Sequence, residues 1–117
     1  QDWAAGFANI TLQSLQHSPE RQVAKWTRKA LPKVPVDVQA VLALAIHIVG
    51  IEGCSIDAAS VALWERDLPL GRRPQLLADY GIDAQERRLR PHFFTRFDKV
   101  FRKTGTGTYC VSDFGVA

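Results

Sequence analysis

Apolar residues recur at near-helical spacing from the start of the chain, with Trp3, Phe7, Ile10 and Leu15 predicting a helix over Asp2 to Gln16. Ser18-Pro19-Glu20 then supplies an N-cap followed by proline at the first helical position. The second helix, Pro19 to Leu31, presents Val23, Trp26 or Thr27 and Ala30 on one face and Arg21, Lys25, Arg28 and Lys29 on the other. Pro32 and Pro35 bracket a linker, after which Val36 to Val49 is apolar almost all round, as the central helix of a small bundle must be. Gly50 and Gly53 end it. Ser55-Ile56-Asp57 offers N-caps for a helix over Ala58 to Asp67, with Val61, Leu63 and Trp64 apolar and Pro69 and Gly71 closing it.

Arg72 to Tyr80 reads as a short helix ended by Gly81, and Asp83 can cap a longer one from Ala84 toward Val100. Pro91 interrupts that pattern, because the residue before a proline is pushed out of the α region. The helix therefore either kinks at Arg90 or begins afresh at Pro91, and its main part is predicted at 91 to 99. From Val100 the period changes, and two short β-favouring runs flank Gly105-Thr106-Gly107, which predicts a hairpin. The fold class expected is mainly α with a C-terminal β-hairpin, built as a helical extension over 1–33 and a nucleic-acid-binding unit over 34–117.

Composition narrows this picture. A chain of 117 residues, 46% apolar and 23% charged, suits one globular core that buries roughly 65% of the unfolded surface. The longest apolar stretch, Val38 to Ile51, is broken by Gln39 and His47 and falls short of the roughly 20 residues of a membrane span, so no membrane partner is expected. The chain opens at Gln1 without a signal-like run and reads as a piece excised from a longer protein. Cys54 and Cys110 form no metal spacing and no disulfide scaffold, which points to a reducing setting, cytoplasmic at the nucleoid or nuclear. The net charge of +3 is unevenly spread. Residues 34–71 carry five acidic groups and one basic, whereas residues 86–103 carry seven basic groups and two acidic.

On a helical projection of 88–103, Leu89, Phe93, Phe97 and Val100 share one side, with Phe94 and Phe101 at its edge. The opposite side shows Arg88, His92, Thr95, Lys99 and Lys103, with Arg96 and Arg102 alongside. Such a surface suits phosphate, since Lys and Arg neutralise backbone charge and release counterions, and the same side chains reach guanine edges in the major groove. Arg102, Lys103, Thr104 and Thr106 surround two glycines in the hairpin, which lets its tip approach a neighbouring phosphate or the minor groove.

A basic helix followed by a basic hairpin makes residues 36–112 resemble a winged helix-turn-helix domain, and the run Gly105-Thr-Gly-Thr-Tyr-Cys-Val111 resembles the Gly-x-Tyr wing of HARE-type modules. Arg72 to Tyr80 departs from the compact pattern by adding an element before the recognition helix. The resemblance implies a duplex-DNA-binding domain of a transcriptional regulator or a larger DNA-processing protein. Arg88, His92, Thr95, Arg96 and Lys99 would face the groove, while Arg102, Lys103, Thr104 and Thr106 would hold the backbone. A homodimer or a larger parent assembly fits the same reading.

Competing readings exist for each feature. A basic face also occurs as plain solvated surface, and winged helices also serve as protein adaptors, for which the acidic stretch from Asp37 to Asp67 would meet a basic partner. RNA would favour exposed stacking aromatics, whereas Trp3, Trp26 and Trp64 fall on apolar faces. His47 reads as a buried, hydrogen-bonded histidine, His17 as a loop residue, and Cys110 as a small buried hydrophobe. The Gly105-Thr-Gly-Thr108 run lacks the spacing of a phosphate loop and leads into a strand. No nucleophile with a base, no paired carboxylates and no metal set can be assembled from spacing, so neither an enzyme nor a cofactor is expected.

Overall fold

The computed structural model describes residues 33–50, 52–68 and 74–111. The helices expected over Asp2 to Gln16 and Pro19 to Leu31, with His17 and the Arg21/Lys25/Arg28/Lys29 face, lie outside those residues, as does Arg72. Helices make up about half of what is described, and the rest is organised around two small antiparallel sheets.

Helix α1 (Val36–Val49) places Val38, Val41, Leu42, Ala45 and Ile46 out of contact with solvent, the i, i+3, i+4, i+7, i+8 stripe of a core helix. Ala43, Leu44 and Val49 are buried as well, which is why the sequence is apolar nearly all round. Gln39 is tolerated inside because its Nε2 donates to the Val34 carbonyl at 2.7 Å. His47, in the last turn, is half-buried rather than buried. Gly50 stops the helix at φ 60°, with its N–H on the Ile46 carbonyl.

Strand β1 (Cys54–Ser55) leads directly into helix α2 (Ile56–Glu65). The Ser55 hydroxyl accepts from the Ala58 N–H at 3.1 Å, so Ser55 rather than Asp57 is the N-cap, and α2 starts two residues before the predicted Ala58. Ile56, Ala59, Ser60, Leu63 and Trp64 form its buried stripe, while Val61 stays 59% exposed.

Helix α3 (Pro74–Asp79) matches the short helix expected before Gly81. The segment after it does not continue as a helix from Ala84. Strands β2 (Ile82–Asp83) and β3 (Arg88–Leu89) pair antiparallel, Ile82 with Leu89 and Asp83 with Arg88. Asp83 caps, as expected, but it caps a turn: its carboxylate accepts from the Glu86 N–H at 2.9 Å, and Arg87 adopts φ 57° to close the ribbon. The ribbon is fastened by the Ser60 hydroxyl, which accepts from the Leu89 N–H at 2.9 Å inside the core.

Helix α4 (Pro91–Arg96) begins afresh with Pro91 in its first turn, behind an extended Arg90 at φ −102°, ψ 160°. It ends at Arg96 instead of residue 99, because Phe97 leaves the helical region and its carbonyl receives the N–H groups of Val100 and Phe101. That reversal buries Phe97, Val100 and Phe101 together and starts strand β4 (Phe101–Gly105), which pairs with β5 (Thr108–Val111). The hairpin is the expected one. Strand order is β1-β5-β4, so the strand between the first two helices is joined to the last one in the described fold.

Phe93 and Phe94 anchor this arrangement, each buried side chain contributing roughly 1.5–3 kcal/mol. Gly81 lets the chain pass against them: it sits at φ +79°, and a Cβ there would lie 2.3 Å from the Phe93 nitrogen. Gly81→Ala is therefore expected to cost more than about 2 kcal/mol in a urea titration, through backbone strain and displacement of α4. Ser60→Ala, which strands the buried Leu89 N–H, is expected to cost about 1–3 kcal/mol in the same assay. Near-wild-type midpoints for both would mean that the ribbon is not fastened as described.

Candidate nucleic-acid interface

The seven cations between residues 86 and 103 divide into two groups. Those on the ribbon are matched by acids. Arg87 approaches Asp67 at 3.9 Å, donates to the Trp64 carbonyl at 2.8 Å and lies 5.6 Å over the Trp64 ring. Arg88 faces Asp57 at 3.8 Å, and Arg90 bridges Asp83 and Glu86 at 2.8 and 2.9 Å. The Glu86 N–H and the Arg90 guanidinium hold the Asp83 carboxyl below the usual aspartate range, and the hydrogen bond to Asp83 raises Arg90 in turn.

Arg88 must therefore be taken off the helix face. It sits on β3, half-exposed, and its partner is a carboxylate of α2. The cause is the ribbon itself, which replaces the helical turn that would have aligned Arg88 with His92 and Thr95.

On α4 the exposed side chains are Pro91, His92, Thr95 and Arg96, with Asp98 and Lys99 exposed in the turn that follows. Two of these spend hydrogen-bonding capacity inside the molecule. His92 Nε2 meets the Asp79 carbonyl at 3.0 Å, which makes that nitrogen the donor and ties α4 to α3. Thr95 Oγ1 donates back to the Pro91 carbonyl at 3.2 Å. Arg96 instead stacks its guanidinium 4.8 Å over the Tyr80 ring. Tyr80 is itself stacked on the buried Phe97, with centroids 6.0 Å apart and planes 14° from parallel.

The hairpin sorts its residues by face. Cross-strand partners share a face, so Phe101 with Val111 and Lys103 with Tyr109 lie on one side, and Arg102 with Cys110 on the other. Tyr109 stacks on Phe94 at 4.3 Å, which identifies the Lys103 side as the one packed by α4. Lys103 thus lies on the side of the sheet that packs against α4, and Arg102 lies on the opposite side. A register shift between Lys103 and Gly105 precedes the turn, where Thr104 donates to Thr108 at 3.1 Å and Thr106 is exposed at the tip. Among the described residues, Lys99 and Lys103 form no ion pair.

The role of Tyr80 was not legible in the sequence, where it is simply the last residue of a short helix; only folding brings it beneath Arg96. An open cleft of about 330 Å³ lies between α3 and the ribbon turn, lined by Pro74, Gln75, Ala78, Ile82, Asp83 and Arg90, and its charges are already paired with one another. Among the described residues no three His, Cys, Asp or Glu side chains are grouped to hold a metal, and no helix is long and apolar enough to cross a membrane. Cys54 and Cys110 are both thiols; Cys110 is buried, and partial burial pushes the Cys54 thiol up. No family model, curated protein or solved structure matches the chain.

Asp83 supplies a pH signature. Its folded-state pKa is depressed, so its contribution is complete above the ordinary aspartate value and is lost as pH falls below that value through the folded one. The difference in Tm between the parent chain and Asp83→Asn is expected to be largest near neutral pH and to shrink toward about pH 2. A difference independent of pH would contradict the ribbon's ion-pair network.

Proposed function

We propose that the chain is a duplex-DNA-binding domain of winged-helix type, with α4 as the groove-facing helix and β4–β5 as the wing. The reading is supported by the strand order, in which the strand between the first two helices pairs with a hairpin that directly follows the basic helix. It is carried by one observation: Arg96 on α4, Lys99 in the turn after it and Lys103 on β4 stand exposed without a carboxylate partner among the described residues, while the neighbouring Arg87, Arg88 and Arg90 are matched by acids. Cations already matched by carboxylates gain less from phosphate than cations that are not. The contacts fall to Arg96, Lys99, Lys103 and the Thr106 tip, with Thr95 and His92 lining the helix and Arg102 and Thr104 at the wing. Such a domain would serve a transcriptional regulator or a larger DNA-processing protein.

A protein-adaptor reading draws on other exposed residues. The outer face of α2 exposes Val61 between Asp57 and Glu65, and Val36 is 72% exposed at the start of α1. That mixture would suit a basic partner.

Fluorescence anisotropy with a labelled random duplex separates the two. The parent chain is expected to bind with log affinity falling steeply against log salt, close to one unit of slope per phosphate contact. The Arg96→Ala/Lys99→Ala/Lys103→Ala variant is expected to stay folded and to lose most of that binding. Absence of binding at low salt would reject the DNA reading in favour of the adaptor, and equal binding by both proteins would move the interface elsewhere.

A further inference from the structure

Of the outward side chains on α4, Arg96 alone combines a planar fork of donors with a fixed seat. His92 and Thr95 have each committed a donor to a backbone carbonyl, at 3.0 and 3.2 Å. The guanidinium of Arg96 rests 4.8 Å from the centroid of Tyr80, and the side-chain hydrogen bonds of α4 leave its N–H groups uncommitted among the described residues. Tyr80 cannot drift, since it stacks on Phe97, which is buried and in edge contact with Phe93 at 5.2 Å. Stacking on an aromatic face fixes a guanidinium without using its in-plane donors, and Arg loses less entropy per hydrogen bond formed when it is held in this way. Lys99 and Lys103 are flexible point charges, suited to phosphate and without a preorganised planar fork.

We propose that Arg96, seated on Tyr80, is the specificity-determining residue of the DNA surface and selects guanine through its O6 and N7 acceptors in the major groove, whereas Lys99 and Lys103 supply sequence-independent phosphate contacts. Tyr80 is a positioning residue: it touches no base and acts by holding the fork. This inference rests on the DNA reading above and adds to it a division of labour between one reader and two backbone contacts.

The test uses the full chain and two versions of one random duplex pool, identical except that guanine in the second is replaced by 7-deazaguanine, which lacks the N7 acceptor. The parent chain is expected to bind the ordinary pool about fivefold more tightly. Arg96→Lys keeps the charge but not the planar fork, so it is expected to keep the salt slope while the preference weakens. Tyr80→Phe, which retains the stacked ring, is expected to keep the preference, and Tyr80→Leu to lower it with little change in affinity for the substituted pool. Salt-dependent binding by the parent chain with no preference between pools, or a preference undiminished in Arg96→Lys, would overturn this inference and leave the DNA reading standing. No binding to either pool would overturn both.

Discussion

Phe94 holds the candidate surface in place. It meets Phe93 edge-on at 5.3 Å and Phe101 at 4.9 Å, and it stacks on Tyr109 at 4.3 Å, so a single ring joins the helix to both strands of the hairpin. Phe93 extends the contact to Phe97, and the backbone of the same turn closes over Gly81. Because the phenylalanine rings are buried and interlocked, with Tyr109 half-buried against them, α4 and the Lys103 side of the hairpin behave as one packed unit. The spacing of Arg96, Lys99 and Lys103 follows from that packing.

Electrostatics refine what packing positions. The basic segment looks uniform along the sequence, yet folding spends Arg87, Arg88 and Arg90 on Asp67, Asp57, Asp83 and Glu86. These exposed pairs are individually weak, and their main effect is to remove local positive potential from the ribbon. Arg96, Lys99 and Lys103 are left without a carboxylate partner among the described residues.

The apolar register was the most legible part of the sequence. The α1 stripe, the burial of Leu89, Phe93, Phe94, Phe97, Val100 and Phe101, and the Gly-rich hairpin all follow from period and turn chemistry. Residues 84–90 did not, because a helical projection buries the same side chains as a short ribbon does, and Asp83 caps a turn as readily as a helix. The ribbon is chosen by a contact from far along the chain, the Ser60 hydroxyl on the Leu89 N–H, for which no local signal exists. Within the candidate site, Arg96, Lys99 and Lys103 were recoverable from charge and spacing. The removal of Arg88, the opposite facing of Arg102 and the seat on Tyr80 depend on tertiary pairing.

The most direct measurement is amide chemical-shift mapping of the isotope-labelled chain on addition of a short duplex at low salt. If α4 and the hairpin form the DNA surface, the perturbed amides cluster on α4, the 97–100 turn, Lys103 and the Thr106 tip, and those of α2 around Asp57 and Val61 stay in place. Perturbations centred on α2, with α4 and the hairpin unmoved, would contradict it.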